Sequence, residues 1–344
     1  MHTRSLYDVP LGEWPTLCAA WGTSAFRATQ IVEWLYRRRV TTVAAMTNLP
    51  EALREKLHES FTEPVSVALL RDSDGRPSET RKLLLELTDG ECVETVIIPA
   101  KERVTVCVSS QAGCAFRCAF CASGVRGLVR NLTQGEIVAQ VLCAAEAIGR
   151  LPNNVVFMGI GEPFANYENV MGAVRILNDG KALNIGARHI TLSTCGVVPG
   201  IERLMTEGLQ VELSVSLHAA TDAQRDAVMP VNKRWPLPEL MATLDRYTAT
   251  TKRMVTFEYT LIQGFNDAPR DAAALARLIG HSRLYRVNLI PLSPVAEFNG
   301  TRPPDKTLWD FLTRLIEGGI PATLRLSKGL DRDAACGQLR LRKT

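Results

Sequence analysis

Cys107-Val-Ser-Ser-Gln-Ala-Gly-Cys114-Ala-Phe-Arg-Cys118-Ala-Phe-Cys121 is the stretch from which the rest of the chain can be read. Cys114, Cys118 and Cys121 stand at C-x₃-C-x₂-C spacing, in a short loop straight after the apolar run Val104 to Val108, which reads as a buried strand. Three thiolates at that spacing can converge on one face of a metal cluster. A structural zinc site nearly always takes four ligands. A [4Fe-4S] cluster normally takes four cysteines too, so three leave one iron open to another ligand. The plainer readings are three unrelated core thiols, or zinc with a distant fourth ligand.

At 344 residues the chain is long enough for one large domain, or a large one with an appendage. A hydrophobic content of 46% with 22% charged residues is ordinary for a soluble globular protein. The net charge of +4 permits an RNA partner without requiring one. Nine cysteines in a chain of this size do not make a secreted disulfide scaffold, and the cluster spacing argues for a reducing compartment. The N-terminus, Met1-His-Thr-Arg-Ser-Leu-Tyr-Asp, has no apolar core of signal-peptide length, and no apolar run approaches membrane-spanning length. A cytoplasmic protein away from the membrane is expected.

Before the cysteine loop, residues 1–62 read as a small helical unit. Ser24 to Arg37 places Phe26, Ile31, Val32, Leu35 and Tyr36 at helical spacing behind a Ser cap, and Leu53 to Phe61 forms a second amphipathic helix. Arg37, Arg38 and Arg39 close the first helix, where they complement its dipole or meet phosphates. Residues 63–99 switch to strand period: Val65 to Leu70, Lys82 to Leu87 and Cys92 to Ile98, separated by the hairpin signals Asp72-Ser-Asp-Gly and Asp89-Gly90. Glu94 is a lone acid in the apolar third run, which on pattern alone suggests a solvent-facing residue on an edge strand.

After the loop, residues 100–344 alternate. Strand-like runs at 104–109, 154–160, 189–194, 211–217, 254–262 and 285–292 are separated by helical stretches, and a helix near 305–318 precedes a last strand, Ala322 to Leu326. Six strands alternating with helices mean parallel βα units, in an open sheet or a partial barrel. Either way the loops after strand C-termini gather on one face. Met158-Gly-Ile-Gly-Glu-Pro163 follows the second strand, with glycines that let backbone approach a ligand and a Glu162 able to hold an ammonium group. Ser193 and Thr194 end the third strand, Ser216-Leu217-His218 the fourth, and Asn288 and Ser293 lie on or after the sixth.

The cysteine loop with the Gly-Glu motif resembles the radical S-adenosylmethionine (SAM) superfamily. The fuller set is similar to its RlmN/Cfr group: Val93-Glu-Thr-Val-Ile-Ile-Pro99, Cys107 to Cys114, Arg130-Asn-Leu-Thr133, Gly161-Glu-Pro-Phe-Ala-Asn-Tyr167, Thr191-Leu-Ser-Thr194, Ser216-Leu-His-Ala219 and Asp333-Ala-Ala-Cys-Gly-Gln-Leu339. Glu162-Pro163 followed by Ala-Asn-Tyr is most like the RlmN branch, which methylates adenine C2, rather than Cfr, which acts at C8.

The resemblance implies an α/β fold. A partial (β/α)6 radical SAM barrel would carry a small N-terminal helical accessory domain that binds RNA and a short β-hairpin extension. It implies one [4Fe-4S] cluster on Cys114, Cys118 and Cys121, and SAM held by Gly161, Glu162, Ser193, the Ser216–His218 segment and the position of Ser293. The family usually has Asn before proline at that last place; Ser293 is shorter, so the contact is weakened or water-mediated. Cys336 would accept a methyl from one SAM, and a radical made from a second would abstract hydrogen from it before the carbon adds to the base. Glu94 would take the proton from the adduct, reversing its solvent-facing reading, and Cys107 would release the product by forming a disulfide with Cys336.

The implied partners are 23S rRNA and tRNA, with the target base taken out of its stack, and an electron donor such as flavodoxin or ferredoxin. A monomer is expected. Arg340, Arg342, Lys343 and the Arg37–Arg39 run are candidate phosphate contacts; Cys18, Cys92, Cys143 and Cys195 read as small buried hydrophobes. The rival classes are a radical SAM activase or peptide-modifying enzyme, and a zinc-bound RNA-binding module.

Overall fold

A computed structural model describes residues 4–63, 67–72, 79–280, 282–326 and 337–339. Its main sheet has ten strands. Three come before the cysteine loop: β1 (Val67–Asp72), β2 (Arg81–Leu87) and β3 (Cys92–Ala100). β4 (Arg103–Cys107) leads into the loop, which is framed by a separate two-stranded ribbon of β5 (Gln111–Gly113) and β6 (Leu128–Asn131). The rest are β7 (Asn154–Phe157), β8 (Ile190–Thr194), β9 (Glu212–Ser216), β10 (Val255–Leu261), β11 (Tyr285–Pro291) and β12 (Ala322–Leu324).

The order β1-β2-β3-β4-β7-β8-β9-β10-β11-β12 runs through the sheet without reversal. A doubly wound sheet reverses its strand order at a switch point, so that alternative is excluded. From β4 to β12 every pair is parallel; from β1 to β4 every pair is antiparallel. Two expectations are thereby refined. The parallel series has a seventh strand, because Ala322–Leu324 pairs with β11, and the β-hairpin extension is no separate appendage, because β3 pairs with β4 and continues the main sheet.

Local chemistry accounts for the crossovers. The helix Gln134–Ile148 starts in a capping box, with Thr133 accepting from Glu136 N and the Glu136 side chain accepting from Thr133 N, and stops at Gly149 with φ +73°. β10 is buried at all seven positions, as expected of a central parallel strand covered on both faces.

The N-terminal unit packs around Trp14, Ile31, Leu35, Tyr36, Leu53 and Leu57, which belong to the same apolar cluster as the sheet. Ser24 is at the cap position, but its side chain makes no capping bond, and the expected single helix is an α-helix Ala25–Val32 followed by a π-helical turn Glu33–Arg37. Arg37 does not serve its own helix end. Its guanidinium donates to the Gly180 and Lys181 carbonyls, fastening the unit to the core, while Arg38 stacks on Trp34 at 4.3 Å. Asp8 Oδ1 adds a second fastening by accepting from Gly135 N at 2.7 Å. The hairpin tip after Asp72, and the tail residues Cys336, Arg340, Arg342 and Lys343, lie outside the described residues. Among the described residues, no helix is long and apolar enough to cross a membrane.

Candidate active site

The cysteine loop is fastened on several sides. Cys114 N donates to Gly127 O at 3.1 Å, Cys121 N to Cys118 O at 3.0 Å, Ala119 N to Val228 O at 2.9 Å and Ala122 N to Gly337 O at 2.7 Å. Cys114, Cys118 and Cys121 are all partly buried and line one cavity. Burial pushes the Cys114 thiol up to about 12, and burial together with the neighbouring Cys121 and Cys114 pushes Cys118 well up. Three thiols lining one cavity are the donor set that would hold an iron–sulfur cluster. Among the described residues no three His, Cys, Asp or Glu groups converge on a point that could hold a single metal ion.

The strand ends supply the opposite wall. Gly161, Glu162, Ser193, Ser216, His218 and Ser293 all line this cavity. Glu162 is 3% exposed; its carboxylate accepts from Phe164 N at 3.0 Å and Cys195 N at 2.7 Å, and burial raises its proton affinity against those bonds. The glycines of the motif have a packing reason that the sequence reading did not anticipate. A Cβ on Gly159 would lie 2.7 Å from the Val108 carbonyl, and one on Gly161, at φ +105°, would lie 2.6 Å from Gln111 Cβ. They let the chain after β7 press against the cysteine loop.

His218 adopts φ +55°, a left-handed conformation uncommon outside glycine. Its Nδ1 accepts from Thr260 N at 2.9 Å, so the neutral ring carries its proton on Nε2, and its edge meets Phe120 at 4.7 Å. Burial, then the nearby Arg225 charge, lowers its pKa to about 3. Ser293 is buried, and its Oγ has no hydrogen-bond partner among the described residues. Leu217 is the exception in its segment: it is packed in the core and does not line the cavity.

Neither Glu94 nor Cys107 is in the lining of this cavity. Glu94 is 5% exposed in β3, inside the sheet, and pairs with Lys82 Nζ at 2.9 Å; the solvent-facing reading fails because β3 is flanked by β2 and β4. Cys107, at the end of β4, packs with Val96, Ile160 and Leu339. Leu339 belongs to the tail segment whose first described residue, Gly337, is bonded to Cys336 and lines the cavity.

The lining also includes Glu258, Thr260 and Arg325, to which the sequence assigns no role, and Cys195, which the sequence reads only as a small buried hydrophobe. Glu258 was legible, since a lone acid in Val-Thr-Phe-Glu-Tyr-Thr-Leu has the same signature as Glu94. Cys195 has no distinguishing pattern; it is buried, and its backbone N donates to Glu162.

Comparison with known proteins agrees with this geometry. Residues 108–276 match the radical SAM superfamily, and residues 5–62 match the N-terminal domain of a ribosomal RNA large subunit methyltransferase. The chain is 47% identical to the probable dual-specificity RNA methyltransferase RlmN of Akkermansia muciniphila, over 94% of this chain and 91% of that protein. It is 46% identical to the protein of the same description from Chloroflexus aurantiacus, over 98% and 93%. The crystal structure of a radical SAM methyltransferase from Sphaerobacter thermophilus superimposes with a TM-score of 0.93 at 46% identity, covering 98% of this chain and all of that one. These relatives, with the unbroken series of seven parallel strands and the three thiols at its C-terminal edge, make this chain a member of the RlmN family within the radical SAM superfamily.

Proposed function

We propose that this chain is an RNA methyltransferase that places a methyl group on C2 of adenine, in 23S rRNA at the peptidyl transferase centre and in tRNA at the adenosine beside the anticodon. The observation that carries the proposal is the sharing of one cavity by the cysteine loop and four strand ends, with the residues after Cys336 fastened to the same loop. A [4Fe-4S] cluster and SAM bound in this cavity would supply the one-electron chemistry that an unreactive aromatic carbon requires. Cys114, Cys118 and Cys121 hold the cluster. Glu162 faces the ammonium end of SAM, and the strand-end residues Gly161, Ser193, Ser216, His218 and Ser293, with the Leu217 backbone between them, hold the remainder.

Cys336 carries the methyl group to the base. Glu94 removes the proton from the adduct carbon, and its pairing with Lys82 Nζ at 2.9 Å supports that role by fixing where the carboxylate stands in the sheet. Cys107 then attacks the Cys336 sulfur, releasing the base and leaving a disulfide for an external reductant to open. The packing of Leu339 on Cys107 supports this pairing. A small electron carrier such as flavodoxin or ferredoxin serves the cluster, the enzyme acts as a monomer, and its RNA substrates place it in the cytoplasm.

Mass spectrometry of nucleosides from 23S rRNA and tRNA, from cells with and without the gene, tests the proposal. Loss of 2-methyladenosine from both RNAs is expected. Loss of 8-methyladenosine instead would assign the C8 reaction, and an unchanged methyladenosine content would overturn the proposal.

A further inference from the structure

β3 and β4 pair antiparallel up to Val96 and Cys107, and the same register sets Ser109 level with Glu94. Side chains alternate along a strand, so Glu94 shares a face with Val96 and, across the pair, with Cys107, while Thr95 points to the opposite face. The ladder ends at Cys107, and Ser109 finds other partners. Its N–H donates to Gln140 Oε1 at 2.8 Å and its carbonyl accepts from Gln140 Nε2 at 2.9 Å, so an amide side chain from the helix Gln134–Ile148 stands where a strand partner would. Thr95 Oγ1 donates to the same Oε1 at 2.9 Å, which puts Gln140 on the face away from Glu94.

The Ser109 hydroxyl completes the link. Its Oγ donates to the Glu94 carbonyl at 2.8 Å and accepts from Ile160 N at 3.0 Å. One oxygen thus joins the main chain of Glu94 to the Gly-Ile-Gly segment, and Ile160 in turn packs with Cys107, Val96 and Leu339. Ser109 and Gln140 are both fully buried, so no water competes for these bonds. Neither lines the cavity, so both act through the backbone they hold.

Release of the base needs a carboxylate on β3 and a thiol on β4 to act on one adduct in turn, and a misplacement of about 1 Å costs about a hundredfold in rate. In the release step the Cys107 thiolate bonds to the Cys336 sulfur as the bond from that sulfur to the methylene carbon breaks. The electron pair stays with the carbon, which takes a proton from water and becomes the methyl group, and an external dithiol reopens the disulfide with two electrons. We propose that Ser109 and Gln140 are positioning residues for this step, holding the Glu94 main chain against the strand end that carries Cys107; the inference rests on the roles proposed above for Glu94 and Cys107.

The test follows the full-length enzyme carrying its cluster through one turnover, with SAM, dithionite and a transcript of the peptidyl transferase region of 23S rRNA. Iron content, 5′-deoxyadenosine, denaturant-resistant protein–RNA adduct and methylated RNA are read separately. Ser109→Ala removes both hydroxyl bonds, and Gln140→Met removes the amide at similar volume. Each should form deoxyadenosine and adduct as wild type does but convert the adduct to methylated RNA about tenfold more slowly, the effect on a rate of one buried hydrogen bond. Adduct should therefore accumulate while iron content holds. A fall of deoxyadenosine, adduct and product in equal proportion would overturn the inference, since a merely structural network behaves in that way; so would release at the wild-type rate. Glu94→Gln is run beside them. If it releases product as wild type does, or if wild type leaves the transcript unmethylated, the proposed roles fall and the inference with them. If Glu94→Gln traps the adduct and Ser109→Ala does not, the inference alone falls. Should either variant not fold, Thr95→Val, isosteric and poorer by one bond to Gln140, decides: it should slow release several-fold, and release at the wild-type rate would overturn the inference.

Discussion

Ser123, two residues beyond Cys121, donates its hydroxyl to the carbonyl of Leu339 at 3.1 Å and joins the cysteine loop to a segment 216 residues further along the chain. Gln338 Nε2 adds a bond to Pro294 O at 3.0 Å, so the tail is tied to both ends of the cavity wall. Ser123→Ala removes one buried hydrogen bond, worth about 1 kcal/mol. Because Ser123 is not a thiol, iron content should stay at the wild-type level, while hydrogen exchange at residues 337–339 speeds up and RNA methylation falls several-fold. Iron analysis beside exchange mass spectrometry checks this. A fall in iron parallel to the fall in activity would mean that the bond supports the cysteine loop rather than the tail.

His218 makes the fold sensitive to acid. Its folded pKa, about 3, lies below the ordinary value of 6.5, so above pH 6.5 the ring is neutral in folded and unfolded chains alike. Below that pH only the unfolded chain takes up the proton, and the contribution of the neutral ring is lost as pH falls from 6.5 toward 3. At about 1.4 kcal/mol per pH unit, His218 accounts for a loss of about 2 kcal/mol between pH 7 and pH 5. His218→Asn keeps an acceptor for Thr260 N but does not titrate. Urea unfolding at the two pH values should show wild type losing about 2 kcal/mol more than the variant; equal losses would mean that the folded protein protonates the ring.

Much of the fold was legible because each crossover repeats the same two periods, and parallel strands buried on both faces leave long apolar runs in sequence. The grouping of Cys114, Cys118 and Cys121 in one cavity was legible because short-range spacing alone brings three thiols together. What escaped depends on register across strands. Nothing in the order Ser216, Glu258, Asn288, Thr323 signals that these residues are register neighbours, since they come from four strands that only folding aligns. Arg37 misled for a related reason: at a helix end it resembles a dipole partner, yet its acceptors, the Gly180 and Lys181 carbonyls, lie over 140 residues away. Gly159 and Gly161 suggest a ligand approach and do line the cavity; what the sequence does not show is that each also lets two chain segments touch.

Arg225 is fully buried, and its fork reaches the ends of two strands: Nε donates to Leu217 O at 3.2 Å, Nη2 to Ser216 O at 3.2 Å and Cys195 O at 2.6 Å, and Nη1 to Asn232 Oδ1 at 2.9 Å. It thus holds the Ser216–His218 segment against the Cys195 turn, and its charge also acts on Cys118. The geometric and electrostatic roles separate with two substitutions. Arg225→Lys keeps the charge but cannot span these acceptors, and Arg225→Met removes the charge at similar volume. Both leave buried carbonyls unpaired, so both should cost on the order of 3 kcal/mol in unfolding free energy and weaken SAM binding to a similar extent. The reduction potential should behave differently, because a nearby cation favours the more negative, reduced state of a cluster. Potentiometry should find the Lys variant near wild type and the Met variant lower. If the Lys variant restores SAM affinity as well, the charge and not the fork organises the strand ends.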